Sequence, residues 1–342
     1  MSKIDIRSMY LPELENYLSE MGEPRFRAKQ IFHWLQSGVT DFDEMTDISK
    51  ALRERLKADA YIASAETERR YASRLDETVK YVFRLFDGEL IETVLMKYEH
   101  GYTVCISTQV GCRMGCKFCA SGINGLTRSL TASEMLAQIT AVQRDNNIRV
   151  SNIVMMGMGE PLDNFDNSVR FLKLVSDENG LNIGLRHISL STSGVVSGIK
   201  KLKEYNLPIT LSISLHAPSD DIRSSVMPVN KRWNIDELLA ACKEYQAVTT
   251  RRISFEYALI AGETDGAENA AILAVQMLAL EDAELRTFTQ WIIPNAQKNR
   301  MEPIRMQIRP GGATYPDNPH EGEEFGYVLK GEITIVLGRE QY

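Results

Sequence analysis

The sequence predicts an α/β protein built on a partial (β/α) barrel, with a small helical amino-terminal domain, a β-hairpin and a short all-β tail. Three observations predict it. Short apolar runs alternate with amphipathic helical stretches from about residue 100 onward: "YTVCIST", "NIVMMGM", "HISLST", "ITLSISLH" and "ISFEYALI" against "ASEMLAQITAVQRD", "NSVRFLKLVSD", "SGIKKLKEY", "IDELLAACKEY" and "AENAAILAVQMLA". The strand runs are nearly all apolar, as expected for a parallel sheet covered by helices. The last stretch, "MEPIRMQIRPGGATYPDNPHEGEEFGYVLKGEITIVLGREQY", turns to Gly, Pro and alternating residues without a helix signal.

Taken in order, residues 1–75 read as the helical domain, 76–275 as the α/β core and 276–342 as the tail. The segment to about residue 70 is helical in pattern: Pro24 stands at a helix start, Phe26, Ile31, Trp34 and Leu35 are spaced for one apolar face, and Thr46 or Asp47 caps the helix through "SKALRERLKA". Arg25, Arg27 and Lys29 cluster there, either as a solvated helix face or as a phosphate-binding patch. "DETVKYVFRLFDGELIETVLM" alternates around Asp87-Gly88, a hairpin signal. In a (β/α) series chemistry gathers on the loops after the strands.

With 44% hydrophobic and 25% charged residues the 342-residue chain has a globular composition. No apolar run approaches the roughly 18 residues of a membrane span, and the charged start is no secretory signal. A cytoplasmic, reducing setting follows, in which clustered cysteines bind metal or do catalysis more often than they form disulfides. The net charge of −7 argues against bulk nucleic-acid attraction, so an RNA partner must meet a local patch.

Three of the five cysteines lie within eight residues, in "CRMGCKFC". Cys112, Cys116 and Cys119 form C-x3-C-x2-C on a loop straight after the first strand of the α/β series, and soft thiolates select zinc or iron–sulfur. A structural zinc site normally takes four protein ligands. Cys105 or a distant His would have to supply the fourth, and neither has the usual spacing. A four-iron cluster on three cysteines leaves one iron open to a substrate.

That loop, with "CISTQVGCRMGCKFCASGINGLTRSLTASEM", "MGMGEPLDN", "HISLSTSGVV", "LSISLHAPSDDIRSSVMPVNKRWNIDELL" and the amino-terminal "PRFRAKQIFHWLQSGVTDFDEMT", resembles the RlmN/Cfr family of radical S-adenosylmethionine (radical SAM) RNA adenine methyltransferases, RlmN type, over residues 5–270. The resemblance implies an RNA-binding-like amino-terminal domain and a 4Fe-4S cluster on Cys112, Cys116 and Cys119. It implies S-adenosyl-L-methionine at Gly159, Glu160, Ser191, Ser214, Leu215 and His216. Glu92 matches a family proton acceptor, and Cys105 the cysteine that resolves a covalent protein–RNA intermediate. By themselves Glu92 reads as a solvent-facing strand residue, Cys105 as a small buried one, Glu160 as a helix-terminal charge, Gly159 as a loop glycine and His216 as a bonded core histidine. The implied substrates are ribosomal and transfer RNA, methylated at adenine carbon 2, with an electron donor such as flavodoxin or ferredoxin. Two cofactor molecules act in turn, one methylating a carboxyl-terminal cysteine and the other generating the radical that activates that methyl group.

The chain departs from this pattern at its end. No cysteine follows Cys242, itself read as core packing, so the expected methyl-carrying residue is missing and methylation is expected to be impaired. Asn295, in "TQWIIPN", falls where a cofactor-binding Asn would stand. From Gly312 to Gly331 the tail resembles the first cupin motif, with Asn318 in place of the first histidine and His320 and Glu324 at later ligand positions. Half the ligand set is absent, and no metal is expected there. Two other readings stay open: a non-catalytic metal-stabilised RNA-binding or cupin-type sensor protein, and a radical SAM enzyme with another substrate.

Overall fold

The structure, a computed structural model, describes residues 3–258, Ile260, Thr264 and residues 336, 337, 340 and 341. The chain divides into two compact units, residues 1–292 and 293–342. In the second, the described residues form one antiparallel pair, Val336–Leu337 with Glu340–Gln341. The helix expected at "AENAAILAVQMLA", Asn295, and the tail positions Asn318, His320 and Glu324 lie outside the described residues.

The first unit opens with β1 (Ile4–Asp5), α1 (Leu11–Glu20), α2 (Phe26–Ser37), α3 (Lys50–Asp59) and β2 (Ala60–Tyr61), which pairs parallel with β1. α2 buries Ala28, Ile31, Phe32 and Leu35. Phe26, expected on that face, is 57% exposed one turn earlier, and Trp34 is half-buried with its indole N–H donating to Asp47. Asp47 is thereby engaged as an acceptor, and the cap of α3 is Ser49, whose hydroxyl accepts from the Leu52 N–H. The helical pattern ends at Asp59, because β3 (Glu66–Ala72) is the edge strand of the main sheet.

Next come β4 (Val79–Arg84), β5 (Leu90–Tyr98), β6 (Gly101–Cys105), β7 (Gln109–Gly111), β8 (Leu126–Ser129), α4 (Ala132–Asn146) and β9 (Val150–Met155). They are followed by α5 (Phe165–Val175), β10 (Ile188–Thr192), α6 (Val196–Tyr205), β11 (Thr210–Ser214), α7 (Asp220–Val226), α8 (Ile235–Thr249) and β12 (Ile253–Glu256). The eight-stranded sheet runs β12-β11-β10-β9-β6-β5-β4-β3; β3 to β6 are antiparallel neighbours and β6, β9, β10, β11 and β12 are parallel. The Asp87-Gly88 hairpin joins β4 to β5, with Gly88 at φ +88°.

Register decides which residues share a face. One face carries Tyr81, Phe83, Ile91, Leu95, Val104, Ile153, Leu190, Leu211, Ile213, Ile253 and Phe255, all buried in the core with α4, α5, α6 and α8. The opposite face carries Lys80, Val82, Glu92, Val94, Cys105, Val154, Ser189, Ser191, Ser212, Ser214, Ser254 and Glu256. The parallel strands expected to be apolar throughout are therefore apolar on one side only: β10 alternates buried and half-buried residues along its length. Serine is small enough to leave room above the sheet and polar enough to face it.

α4 is buried nearly all round because residues 5–8 cross its outer side. Its Ser133 donates to Asp5, and Thr140 accepts from the wholly buried Arg7. Its inner side sends Gln138 into the sheet, where the amide oxygen accepts from the Ser107 N–H and the Thr93 hydroxyl, each at 2.8 Å.

Candidate active site

The cysteine loop hangs between β7 and β8, an antiparallel pair beyond the end of β6. The Cys112 N–H donates to the Gly125 carbonyl at 2.9 Å, the Cys119 N–H to Cys116 at 3.1 Å and the Lys117 N–H to Val226 of α7 at 2.9 Å. A Cβ at Gly111 (φ +76°) would strike the Gly125 carbonyl, so the loop's entry requires glycine. Cys112 is buried, Cys116 half-buried and Cys119 exposed, a graded opening toward solvent. Burial pushes the Cys112 thiol up to about 11 and the Cys116 thiol up to about 12; Cys112 also feels Cys119, and Cys116 feels both other sulfurs. The free Cys112 and Cys116 thiols stay protonated; an electrophilic metal must displace those protons.

The residues fit an iron–sulfur cluster better than a lone zinc ion. Three mutually close thiols are present, yet among the described residues no group of three His, Cys, Asp or Glu side chains closes round a single ion. Cys105, the sequence candidate for a fourth zinc ligand, lies on β6, and its sulfur accepts from the Met156 N–H, with burial raising it to about 11.

Beside the loop, residues 157–160 lie flat on residues 106–109: the Gly157 N–H donates to Ile106, and those of Thr108 and Gln109 to Met158. A Cβ on Gly159 (φ +103°) would come within 2.6 Å of the Gln109 Cβ and 2.7 Å of its nitrogen, so the close approach excludes any side chain. Glu160 is 3% exposed; its carboxylate accepts from the Ser193 N–H at 2.7 Å and the Leu162 N–H at 3.0 Å. Burial raises its pKa and those bonds oppose the rise. A side-chain hydrogen bond from Thr192 adds to the two N–H donors.

Ser191 and Ser214 stand on the polar face at the ends of β10 and β11, and both lie within hydrogen-bonding range of the half-buried Glu256 on β12. Leu215 is fully buried, and its N–H, like that of His216, donates to the Glu256 carbonyl at 3.1 Å. His216 adopts φ +54°; its Nδ1 accepts from the Ala258 N–H at 3.0 Å, and the Phe118 ring of the cysteine loop meets it edge-on at 5.0 Å. Burial lowers its pKa to about 4, so the ring is neutral with Nε2 as the donor. Glu92 and Cys105 share the serine face through the register Glu92–Val82 and Val94–Cys105, and Lys80 Nζ lies 2.6 Å from the Glu92 carboxylate. Cys242, by contrast, is buried in the core on α8.

Gln109, Arg223 and Glu256 join these residues without having been singled out from the sequence. Gln109 binds the Glu160 N–H through its oxygen and Asp163 through its nitrogen. An isolated Gln or Arg carries no spacing signal, and only the loop-on-loop contact shows its use.

A parallel sheet whose first strand leads into a three-cysteine loop, with polar strand ends gathered beside it, defines a radical SAM class of protein, and the Radical SAM superfamily model matches residues 106–274. The ribosomal RNA large subunit methyltransferase N-terminal domain model matches residues 4–62, and a cupin domain model matches residues 304–342. A probable dual-specificity RNA methyltransferase RlmN of Alkaliphilus oremlandii is 54% identical over 270 residues, 79% of each chain. Its counterpart from Clostridium novyi is 50% identical over 267 residues, 78% of each chain. A solved radical SAM methyltransferase from Sphaerobacter thermophilus is 45% identical with a TM-score of 0.76, covering 80% of this chain and 82% of its own. The chain belongs to the RlmN family of radical SAM methyltransferases, enzymes that work with a 4Fe-4S cluster and S-adenosyl-L-methionine. Among the described residues no helix is long and apolar enough to cross a membrane.

Proposed function

We propose that the chain holds its cluster on Cys112, Cys116 and Cys119, binds S-adenosyl-L-methionine at Gly159, Glu160, Ser191, Ser214, Leu215 and His216, and acts on carbon 2 of adenine in ribosomal and transfer RNA. The observation that carries this reading is the shared face of the sheet: Glu92, Cys105, Ser191 and Ser214 come from different strands and line one side, with the cysteine loop at its end. When loaded, the cluster supplies one-electron cleavage of the cofactor's carbon–sulfur bond.

The chain's own residues do the rest. The 157–160 loop, held close on Gln109 because Gly159 has no side chain, receives the cofactor's methionine end, and the Glu160 carboxylate accepts its ammonium. Ser191 and Ser214 orient hydroxyls, and the neutral His216 offers an Nε2–H. Cys105, protonated because it is buried, is the cysteine that resolves the covalent protein–RNA intermediate once it has lost its proton, and Glu92, beside Lys80, is the proton acceptor of the site. The RNA is gripped by the amino-terminal domain, residues 1–75, and the core spans residues 76–275; electrons come from a flavodoxin- or ferredoxin-like donor in the cytoplasm.

No cysteine occurs among residues 243–342, so methyl transfer by this chain is weak or absent although cluster and cofactor binding are intact. The test is anaerobic reconstitution followed by iron and sulfide analysis, electron paramagnetic resonance (EPR), and assay on unmethylated ribosomal and transfer RNA with mass spectrometry. A reducible iron–sulfur cluster perturbed by S-adenosyl-L-methionine is expected. One zinc and no iron would sink the reading. Robust 2-methyladenine would show that a thiol within residues 1–242 carries the methyl group, and 5′-deoxyadenosine without RNA product would point to another substrate.

A further inference from the structure

Arg223 lies on α7, fully buried at 0% exposure. Four hydrogen bonds hold its guanidinium. Nε donates to the Leu215 carbonyl at 3.0 Å, Nη2 to those of Ser193 at 2.7 Å and Ser214 at 3.1 Å, and Nη1 to the Asn230 side-chain oxygen at 2.9 Å. Every acceptor is neutral. Three are backbone carbonyls of the two strand-end loops that carry the cofactor residues. Asp220, the nearest acid on the same helix, is exposed, and its Oδ1 accepts from the Asn230 amide and the Ile235 N–H instead. A buried cation without an adjacent anion is costly and persists where an anion completes it.

The anion that completes it comes from the cysteine loop, which packs against the same helix. The cysteine loop is tied there by the bond from Lys117 to Val226, and Cys116 packs against Val226, Met227 and Val229. The Cys116 sulfur and the Asp220 carboxylate both act on the guanidinium. Three thiolates around an iron–sulfur core make an anionic group, and a fixed cation beside such a group favours its reduced state.

We propose that Arg223 is a positioning residue which sets the cluster's reduction potential with its charge while its hydrogen bonds hold the Ser193, Ser214 and Leu215 carbonyls of the cofactor loops in place. This rests on the cluster reading above. The fork geometry requires arginine for the second role, whereas the first requires only a positive charge.

The experiment uses the full chain reconstituted anaerobically, with iron content, midpoint potential from EPR-monitored titration, and the dissociation constant of S-adenosyl-L-methionine. Arg223→Gln is expected to shift the midpoint to more negative potential at unchanged iron content and to weaken cofactor binding at least tenfold. Arg223→Lys is expected to keep the wild-type midpoint and still lose cofactor affinity. An Arg223→Gln protein at the wild-type midpoint overturns the proposal, as does an Arg223→Lys protein shifted just as far. Should Arg223→Gln not fold, Arg223→Lys decides alone: a retained midpoint with weakened binding supports the proposal, and a displaced midpoint overturns it. A wild-type chain that takes up no iron refutes the cluster reading and this inference with it.

Discussion

The two halves of the central sheet answer to different constraints. In the antiparallel half, β3 to β6, neighbouring strands are mostly joined by short turns, and the polar face is held by exposed ion pairs such as Lys80–Glu92 and Arg84–Glu68. In the parallel half, β9 to β12, each strand end opens into a loop that is tied down by buried hydrogen bonds: Glu160 to Ser193, Arg223 to Ser214, His216 to Ala258. The difference teaches where loss of one group is expensive. Exposed pairs are screened by water, while buried donors and acceptors without partners cost their full desolvation.

The largest expected effect lies at the end of the shared strand. Cys116→Ser removes one of three thiol donors and should abolish cluster loading, read as iron content near zero in a folded protein; full iron content would break the assignment of the loop. Gly159→Ala comes next. Its Cβ meets the Gln109 backbone within 2.7 Å at φ +103°, which should destabilise the protein by roughly 2–5 kcal/mol in denaturant unfolding. A silent Gly159→Ala would mean that the loop contact is loose.

Glu160→Ala leaves the Ser193 and Leu162 N–H groups buried without an acceptor, about 1–3 kcal/mol each, together with at least a tenfold loss of S-adenosyl-L-methionine affinity by equilibrium dialysis. His216 adds a pH signature. Its folded pKa, about 4, lies below the ordinary histidine value of 6.5, so the unfolded chain binds the proton more readily. The stabilisation is therefore complete above pH 6.5 and is lost as the pH falls toward 4, by about 3 kcal/mol from the difference in pKa. His216→Gln should flatten that part of a stability–pH curve, and an unchanged slope would remove His216 as its source. The smallest effect belongs to the antiparallel half: Glu92→Gln should change stability by only about 0–1 kcal/mol and leave iron content and cofactor affinity unaltered. If it lowered cofactor affinity as Glu160→Ala does, the contrast between the halves would collapse.

Much of the fold was legible because its signals are local. The Asp87-Gly88 hairpin needs two alternating runs and a turn, and the strand–helix order needs only period and length. The cysteine loop was equally plain, since three thiols at short spacing have few other uses. What failed were positions chosen by packing. Phe26 carries the right spacing for the α2 core face but stands one turn beyond the surface that covers it, and Ser49 caps α3 because Asp47 is engaged by Trp34. The serines of β10 and β11 gave no sign of an open face, because serine sits in a covered strand and a half-open one alike.

By itself the sequence determined the strand–helix order from β9 to β12, the three-cysteine loop and the family to which they belong, since each depends on residues close together in the chain. Only the tertiary structure decided which residues share the open face. A shift of one residue in register would have turned Cys105 and the serines into the core, and register is set by pairing between strands far apart in sequence. The same holds for Arg223. Nothing in "DDIRSSVMPVN" marks that arginine, and its meaning comes from the Ser193, Ser214 and Leu215 carbonyls that folding brings to it.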